Sequence, residues 1–247
     1  MARTPTPPEG AEASTARALR REARFGSALL HRHGWRLVLV FIGLLLPLGV
    51  FVALANAIGH GDPLPFDEPL LRFANENASV GLDRVFLFFS AIGYAYGVWP
   101  ADVLLVLGLA IRRHVREAAF AAIALGGSGL LNMAAKRLFA RERPTLWDSI
   151  APEATLSFPS AHAMGSATLA AVIVLLAWHT RWRMPTLAIA TLFVLLVGAS
   201  RVYLGVHYPS DVMAGWAAAV AWAAAAFLVV FGHARVPWTK TPSLWTR

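Results

Sequence analysis

Residues 37–58 read LVLVFIGLLLPLGVFVALANAI, 22 positions without one ionisable side chain. A helix of that length covers the roughly 30 Å hydrocarbon core of a bilayer. The run follows 36 residues that carry seven arginines, and it exceeds the 7–15-residue apolar core of a cleaved signal peptide. It therefore reads as the retained first span of an all-α membrane protein.

Composition agrees with this reading. Of the 247 residues, 57% are hydrophobic and 15% charged, against about 25% charged in soluble domains. The net charge of +8 does not point to nucleic acid, because most basic residues flank apolar runs, where they orient helices in a bilayer. The chain has no cysteine, which excludes disulfides, thiolate metal sites and cysteine nucleophiles.

Outward from the first span, the sequence predicts a polytopic helical bundle with six transmembrane helices. Residues 1–34 form an N-terminal segment: three prolines lie within 1–16, and 18–36 can make a basic helix on the membrane surface. A six-span domain follows over 35–232, and a tail over 233–247. Residues 59–84 read as an irregular loop with one short helix. Gly93, Gly97 and Pro100 interrupt the next apolar run, so the second span is expected near 99–111. Further spans are expected at 118–135, 160–178, 185–203 and 211–232. The N-terminal segment, the turns at 112–116 and 179–184 and the tail hold 15 of the 22 Lys and Arg residues. By the positive-inside rule both termini are cytoplasmic.

Lys136, Arg143 and Arg201 fall on the side where basic residues are disfavoured. They sit in KRLFARERP (136–144) and SRVYLGVHYPSD (200–211), and FPSAH (158–162) lies between. All three segments are expected at the outer ends of spans three to six, so one pocket can collect Lys136, Arg143, Ser160, His162, Arg201, His207 and Asp211. Arginine offers phosphate a planar fork of donors, and lysine adds a compact charge. Pro159 and Ser160 begin a span, so the amides of Ser160, Ala161 and His162 stand at a helix N-terminus, a natural anion site. Two histidines divide into a nucleophile and a proton donor. If Asp211, four residues after His207, takes a hydrogen bond from one ring nitrogen, the other is left to attack phosphorus while His162 protonates the leaving oxygen.

The three blocks resemble the signature of the type 2 phosphatidic acid phosphatase family, K-x6-RP, PSGH and SR-x5-H-x3-D. The matching positions are Lys136, Arg143 and Pro144; Pro159, Ser160 and His162; and Ser200, Arg201, His207 and Asp211. Ala161 stands where the family usually has glycine, which disfavours a positive φ but keeps the amide. The resemblance spans about 84–232. It implies a metal-independent, cofactor-free hydrolase of lipid phosphates or pyrophosphates in the bacterial cytoplasmic membrane, with its site facing outward and a phosphohistidine intermediate. Undecaprenyl pyrophosphate is the expected substrate; phosphatidylglycerophosphate, phosphatidic acid and lipid A are the alternatives.

Each of these features also has a plainer reading. Singly, the three basic residues fit headgroup contacts and Asp211 fits a helix cap. A non-hydrolytic lipid transporter needs no acid and nucleophile pair, and the related vanadium haloperoxidases are soluble. Asp102 is an acid inside an apolar run, a functional hint by default, yet its expected role is structural, a bond to a neighbouring helix or to the unwound backbone near Pro100. Trp147 is a candidate to line the way in for substrate. The expected partners are the lipid substrate and bilayer lipids, without nucleic acid; oligomeric state is not specified.

Overall fold

A computed structural model describes residues 34, 37–62, 64–232 and 237–238. The regular structure among them is eight helices. They are α1 (Leu39–Gly59), α2 (Asp67–Glu76), α3 (Val80–Ile92), α4 (Val98–Ile111), α5 (Val115–Phe139), α6 (Ala161–Ala177), α7 (Arg183–Tyr203) and α8 (Pro209–Phe231). The expected surface helix and tail lie outside the described residues, apart from Gly34, Pro237 and Trp238.

Four helices, α1, α5, α7 and α8, are long and apolar enough to cross a membrane, while α4 and α6 are apolar but shorter. α1 opens in a wider π winding over Leu39–Leu45. Pro47 has no N–H to offer the preceding turn, and its ring crowds the carbonyl four residues back, which that winding relieves. The interruption at 93–97 separates α3 from α4, as the glycines predict.

Two expectations need correction. Residues 59–84 hold the one short helix expected there, α2, but the next helix starts earlier than expected: α3 begins at Val80, capped by Ser79, which accepts from the Leu82 amide at 3.4 Å. The third span runs beyond 135 to Phe139, so Lys136 stands on the last turn of α5 rather than in a loop. That helix ends at Ala140, whose φ of 44° places it in the left-handed region. Such a stop is normally marked by glycine, so the sequence carried no signal for it.

α6 is the centre of the bundle, packed against α8, α7, α5 and α4. Its contact with α8 is close because α8 is rich in small residues, among them Ala214, Gly215, Ala217 and Ala219. At Gly215 a Cβ would lie 2.9 Å from the Ser160 carbonyl oxygen. That approach lets the Ser160 N–H donate to the Asp211 carbonyl at 3.1 Å, which locks the beginnings of the two helices together. At the other end of the bundle, Phe120 meets Phe227 and Phe231 edge-on, with centroids 5.5 and 5.9 Å apart.

Candidate active site

The C-terminal ends of α5 and α7, the N-terminal ends of α6 and α8 and the loop from 140 to 160 converge on His207. The turn that carries it depends on Gly205, whose φ is +68°; a Cβ there would also lie 2.5 Å from the Trp147 ring. Trp147 thus packs over this turn. His207 is fully buried. Its Nδ1 faces Asp211 Oδ2 at 3.5 Å and Ser157 Oγ at 3.3 Å. The Ser157 hydroxyl donates to the same Asp211 oxygen at 2.5 Å, so it accepts from Nδ1 and bridges the longer direct gap. On the other side of the ring, Nε2 lies 3.1 Å from Arg143 Nη1. A guanidinium only donates, so Nε2 is the acceptor and the ring proton belongs on Nδ1. Burial lowers the His207 pKa from its ordinary value to about 4, with Arg143 and Arg201 adding to the effect and Asp211 opposing it. The resting imidazole is therefore neutral, with its free lone pair facing the cationic side of the pocket.

Asp211 is held from every side. Its Oδ2 also accepts the Tyr208 N–H at 2.9 Å, and Oδ1 accepts from Arg141 Nη1 at 2.6 Å. Arg141 in turn donates to Asp67 Oδ2 at 2.9 Å and lies over the Tyr208 ring at 4.0 Å. Asp67, at the start of α2, accepts from the Ser210 amide at 2.9 Å and its hydroxyl at 2.6 Å. The sequence reading missed Asp67, Arg141 and Ser157. Arg141 occupies a variable position of K-x6-RP, and Asp67 lies 144 positions before Asp211, so neither had a local signal.

Arg143, Arg201 and His162 surround a carboxylate that was also missed, that of Glu153. One oxygen accepts from Arg143 at 2.6 Å, and the other pairs with Arg201. His162 Nδ1 lies 3.7 Å and His207 Nε2 4.0 Å from the same group. Burial would raise the Glu153 pKa, but Arg201, His162 and Arg143 together outweigh it and hold the group anionic below the ordinary range. A carboxylate bound between two guanidiniums and two imidazoles occupies an anion site. Its one available signal was an acid set among basic residues on one face.

The remaining predicted residues are near but differently engaged. Lys136 Nζ binds the Leu156 carbonyl and lies 3.4 Å from Thr155 Oγ1, bracing the loop that carries Glu153. Ser160 is fully buried and caps α6, its Oγ accepting from the Ala163 amide at 3.4 Å. Ala161 opens α6 without a positive φ, so its methyl group brings no backbone strain in place of glycine.

Beside the polar pocket lies a cavity of about 660 Å³ between α4, α5 and α6. Tyr94 and Ala161 line its upper end, and the Tyr94 ring lies 4.9 Å from that of His162, so cavity and anion site adjoin. Its wall is chiefly apolar and includes Val98, Val103, Leu107 and Leu125. An apolar cleft at bundle depth opening beside an anion site fits a ligand with a charged head and a hydrocarbon chain.

Comparison with known proteins agrees with this geometry. A family model described as PAP2 superfamily matches residues 117–235. The undecaprenyl-diphosphatase of Sulfolobus acidocaldarius is 32% identical over 187 residues, covering 74% of this chain and 84% of that one. The phosphatidylglycerophosphatase B of Bacillus subtilis is 29% identical over 171 residues, covering 67% and 84%. Among solved structures, a transmembrane PAP2-type phosphatidylglycerolphosphate phosphatase from Bacillus subtilis superposes with a TM-score of 0.63 at 26% identity, covering 74% of this chain and 93% of that one.

Proposed function

The chain belongs to the PAP2 superfamily, and from that premise we propose that it removes phosphate from a lipid phosphate or diphosphate through nucleophilic attack by His207. It is an integral membrane phosphatase. The observation that carries the mechanism is the buried, neutral His207, with Nδ1 turned toward Ser157 and Asp211 and Nε2 facing Arg143 beside the Glu153 carboxylate.

The substrate phosphate takes the place of that carboxylate between Arg143 and Arg201, with the first-turn amides of α6 adding donors. His207 Nε2 attacks phosphorus, the bond from phosphorus to the bridging oxygen breaks, and His162 gives its proton to the departing oxygen. His162 then takes a proton from water, whose oxygen attacks the phosphohistidine; phosphate leaves and His207 is again neutral. Fixed cations carry the transition-state charge, so the reaction needs no metal. The bias of basic residues toward the termini and the turns at 112–116 and 179–184 supports cytoplasmic termini and an extracytoplasmic site. Undecaprenyl diphosphate and phosphatidylglycerophosphate are the two substrates that the relatives nominate.

The test is phosphate release by purified protein in detergent with EDTA. Wild type is expected to hydrolyse these lipids, and His207→Ala to lose about 10,000-fold or more in kcat. Wild-type kcat/KM should fall about tenfold per unit as the pH drops below about 4, as protonation removes the nucleophile. Full activity in the mutant, or a requirement for divalent metal, refutes the mechanism.

A further inference from the structure

The cavity beside the anion site has in its wall a carboxyl group, Asp102, one of whose oxygens has no hydrogen-bond partner among the described residues. Its α4 wall is made by Val98, Trp99, Asp102, Val103, Val106 and Leu107, the spacing of a single helix face, so Asp102 belongs to the stripe that faces the cavity. Three other polar side chains there, Ser128, Asn132 and Thr168, have protein partners. Ser128 and Thr168 share a hydrogen bond of 2.8 Å, the Thr168 hydroxyl also lies 2.8 Å from the Met164 carbonyl, and Asn132 donates to the Pro159 carbonyl at 3.1 Å. Asp102 Oδ1 is buried and has no hydrogen-bond partner among the described residues. This oxygen therefore makes neither of the structural bonds expected from sequence.

Its depth is defined by the helices. A Cβ at Gly165 would lie 3.8 Å from Val98 and 3.9 Å from Tyr94, so Val98 stands one α6 turn below His162. Asp102 follows Val98 by four residues, about 6 Å further along the helix axis. A carboxyl at this level faces the part of a lipid next to its phosphate head.

We propose that Asp102 is a specificity-determining residue that binds a hydrogen-bonding group in the backbone of the lipid substrate, and so favours glycerolipid phosphates over polyprenyl phosphates. The inference rests on the lipid phosphatase reading above. A glycerol backbone has ester or hydroxyl groups within a few bonds of the phosphate, and a carboxyl can donate to the former when protonated or accept from the latter. A polyprenyl diphosphate offers next to its scissile phosphate only a second phosphate, whose charge a carboxylate repels, and then a chain that is hydrocarbon from its first carbon. It would fill the cavity while leaving Asp102 buried and unpaired, a cost of about 1–3 kcal/mol in comparable cases. The preference thus comes from a penalty on the wrong chain as much as from a bond to the right one.

The experiment compares kcat/KM for phosphatidylglycerophosphate and undecaprenyl diphosphate in the same mixed micelles, for wild type, Asp102→Leu and Asp102→Asn. Wild type should prefer the glycerolipid. Asp102→Leu should lower the glycerolipid-to-polyprenyl ratio about tenfold, or about 1.4 kcal/mol, and Asp102→Asn, which keeps hydrogen-bonding capacity, should stay within about threefold of wild type. A ratio that moves less than about twofold in the leucine variant overturns the proposal, as does a wild type that prefers the polyprenyl lipid. If leucine abolishes all turnover, the asparagine variant decides: a ratio held within threefold supports the proposal, and one that drops with loss of the carboxyl overturns it. Failure of wild type to hydrolyse either lipid would instead overturn the phosphatase reading itself.

Discussion

Around His207, at the junction of α7 and α8, the polar side chains Asp67, Arg141, Ser157, Ser210 and Asp211 are bonded to one another. Around Asp102, on the wall of the α4–α6 cavity, a buried carboxylate oxygen has no partner among the described residues. Both regions touch the same anion site, one from its polar side and the other through Tyr94 and Ala161. The first is a closed lattice that holds the His207 ring in one tautomer before a ligand arrives. The second is an apolar space whose polar need is left to a ligand. Where protein groups satisfy each other, structure is preorganised for chemistry; where one is left over beside a cavity, its partner is left to the ligand.

This contrast can be broken or sharpened by substitution. The largest effect belongs to the closed lattice. Asp211→Asn keeps the size but removes the charge that orients His207 and receives Arg141, so kcat should fall about 1,000-fold for every lipid substrate alike. A substrate-dependent loss would contradict a purely orienting role. His162→Ala removes the proton donor but not the nucleophile. It should cost about 100-fold on a lipid phosphate with a poor alkoxide leaving group, and much less on p-nitrophenyl phosphate, whose leaving group needs no proton. Equal losses on both would remove His162 from the acid role.

The smallest expected effect comes from Glu153, where the two regions meet. Glu153→Gln withdraws the negative charge that competes for Arg143 and Arg201, so inorganic phosphate should inhibit about tenfold more strongly in a steady-state competition assay. An unchanged inhibition constant would mean that the carboxylate does not share the phosphate position.

The sequence was legible where a physical rule acts along the chain. The 22 charge-free positions at 37–58 mark a span, the glycines at 93 and 97 mark the break before α4, and Ser160 marks the start of α6. Lys136, Arg143, His162, Arg201, His207 and Asp211 were found by spacing within three blocks, and the structure brings them to one end of the bundle. It was illegible at the end of α5, because Ala140 adopts a left-handed conformation that alanine does not advertise. Glu153, Asp67, Arg141 and Ser157 were passed over for a different reason. Polar residues in loops read as solvated unless something shows that they are buried, and nothing local does.

What the sequence determined by itself, then, is the helical membrane class and the inventory of phosphate chemistry, since hydrophobic run length and fixed residue spacing are properties of the chain alone. The close approach at Gly215, the turn at Gly205, the Asp67–Arg141–Asp211 connection, the seating of Glu153 among the cations and the unpaired oxygen of Asp102 were decided only by tertiary structure. Each depends on which groups are buried against which others, and burial is set by the packing of helices far apart in sequence.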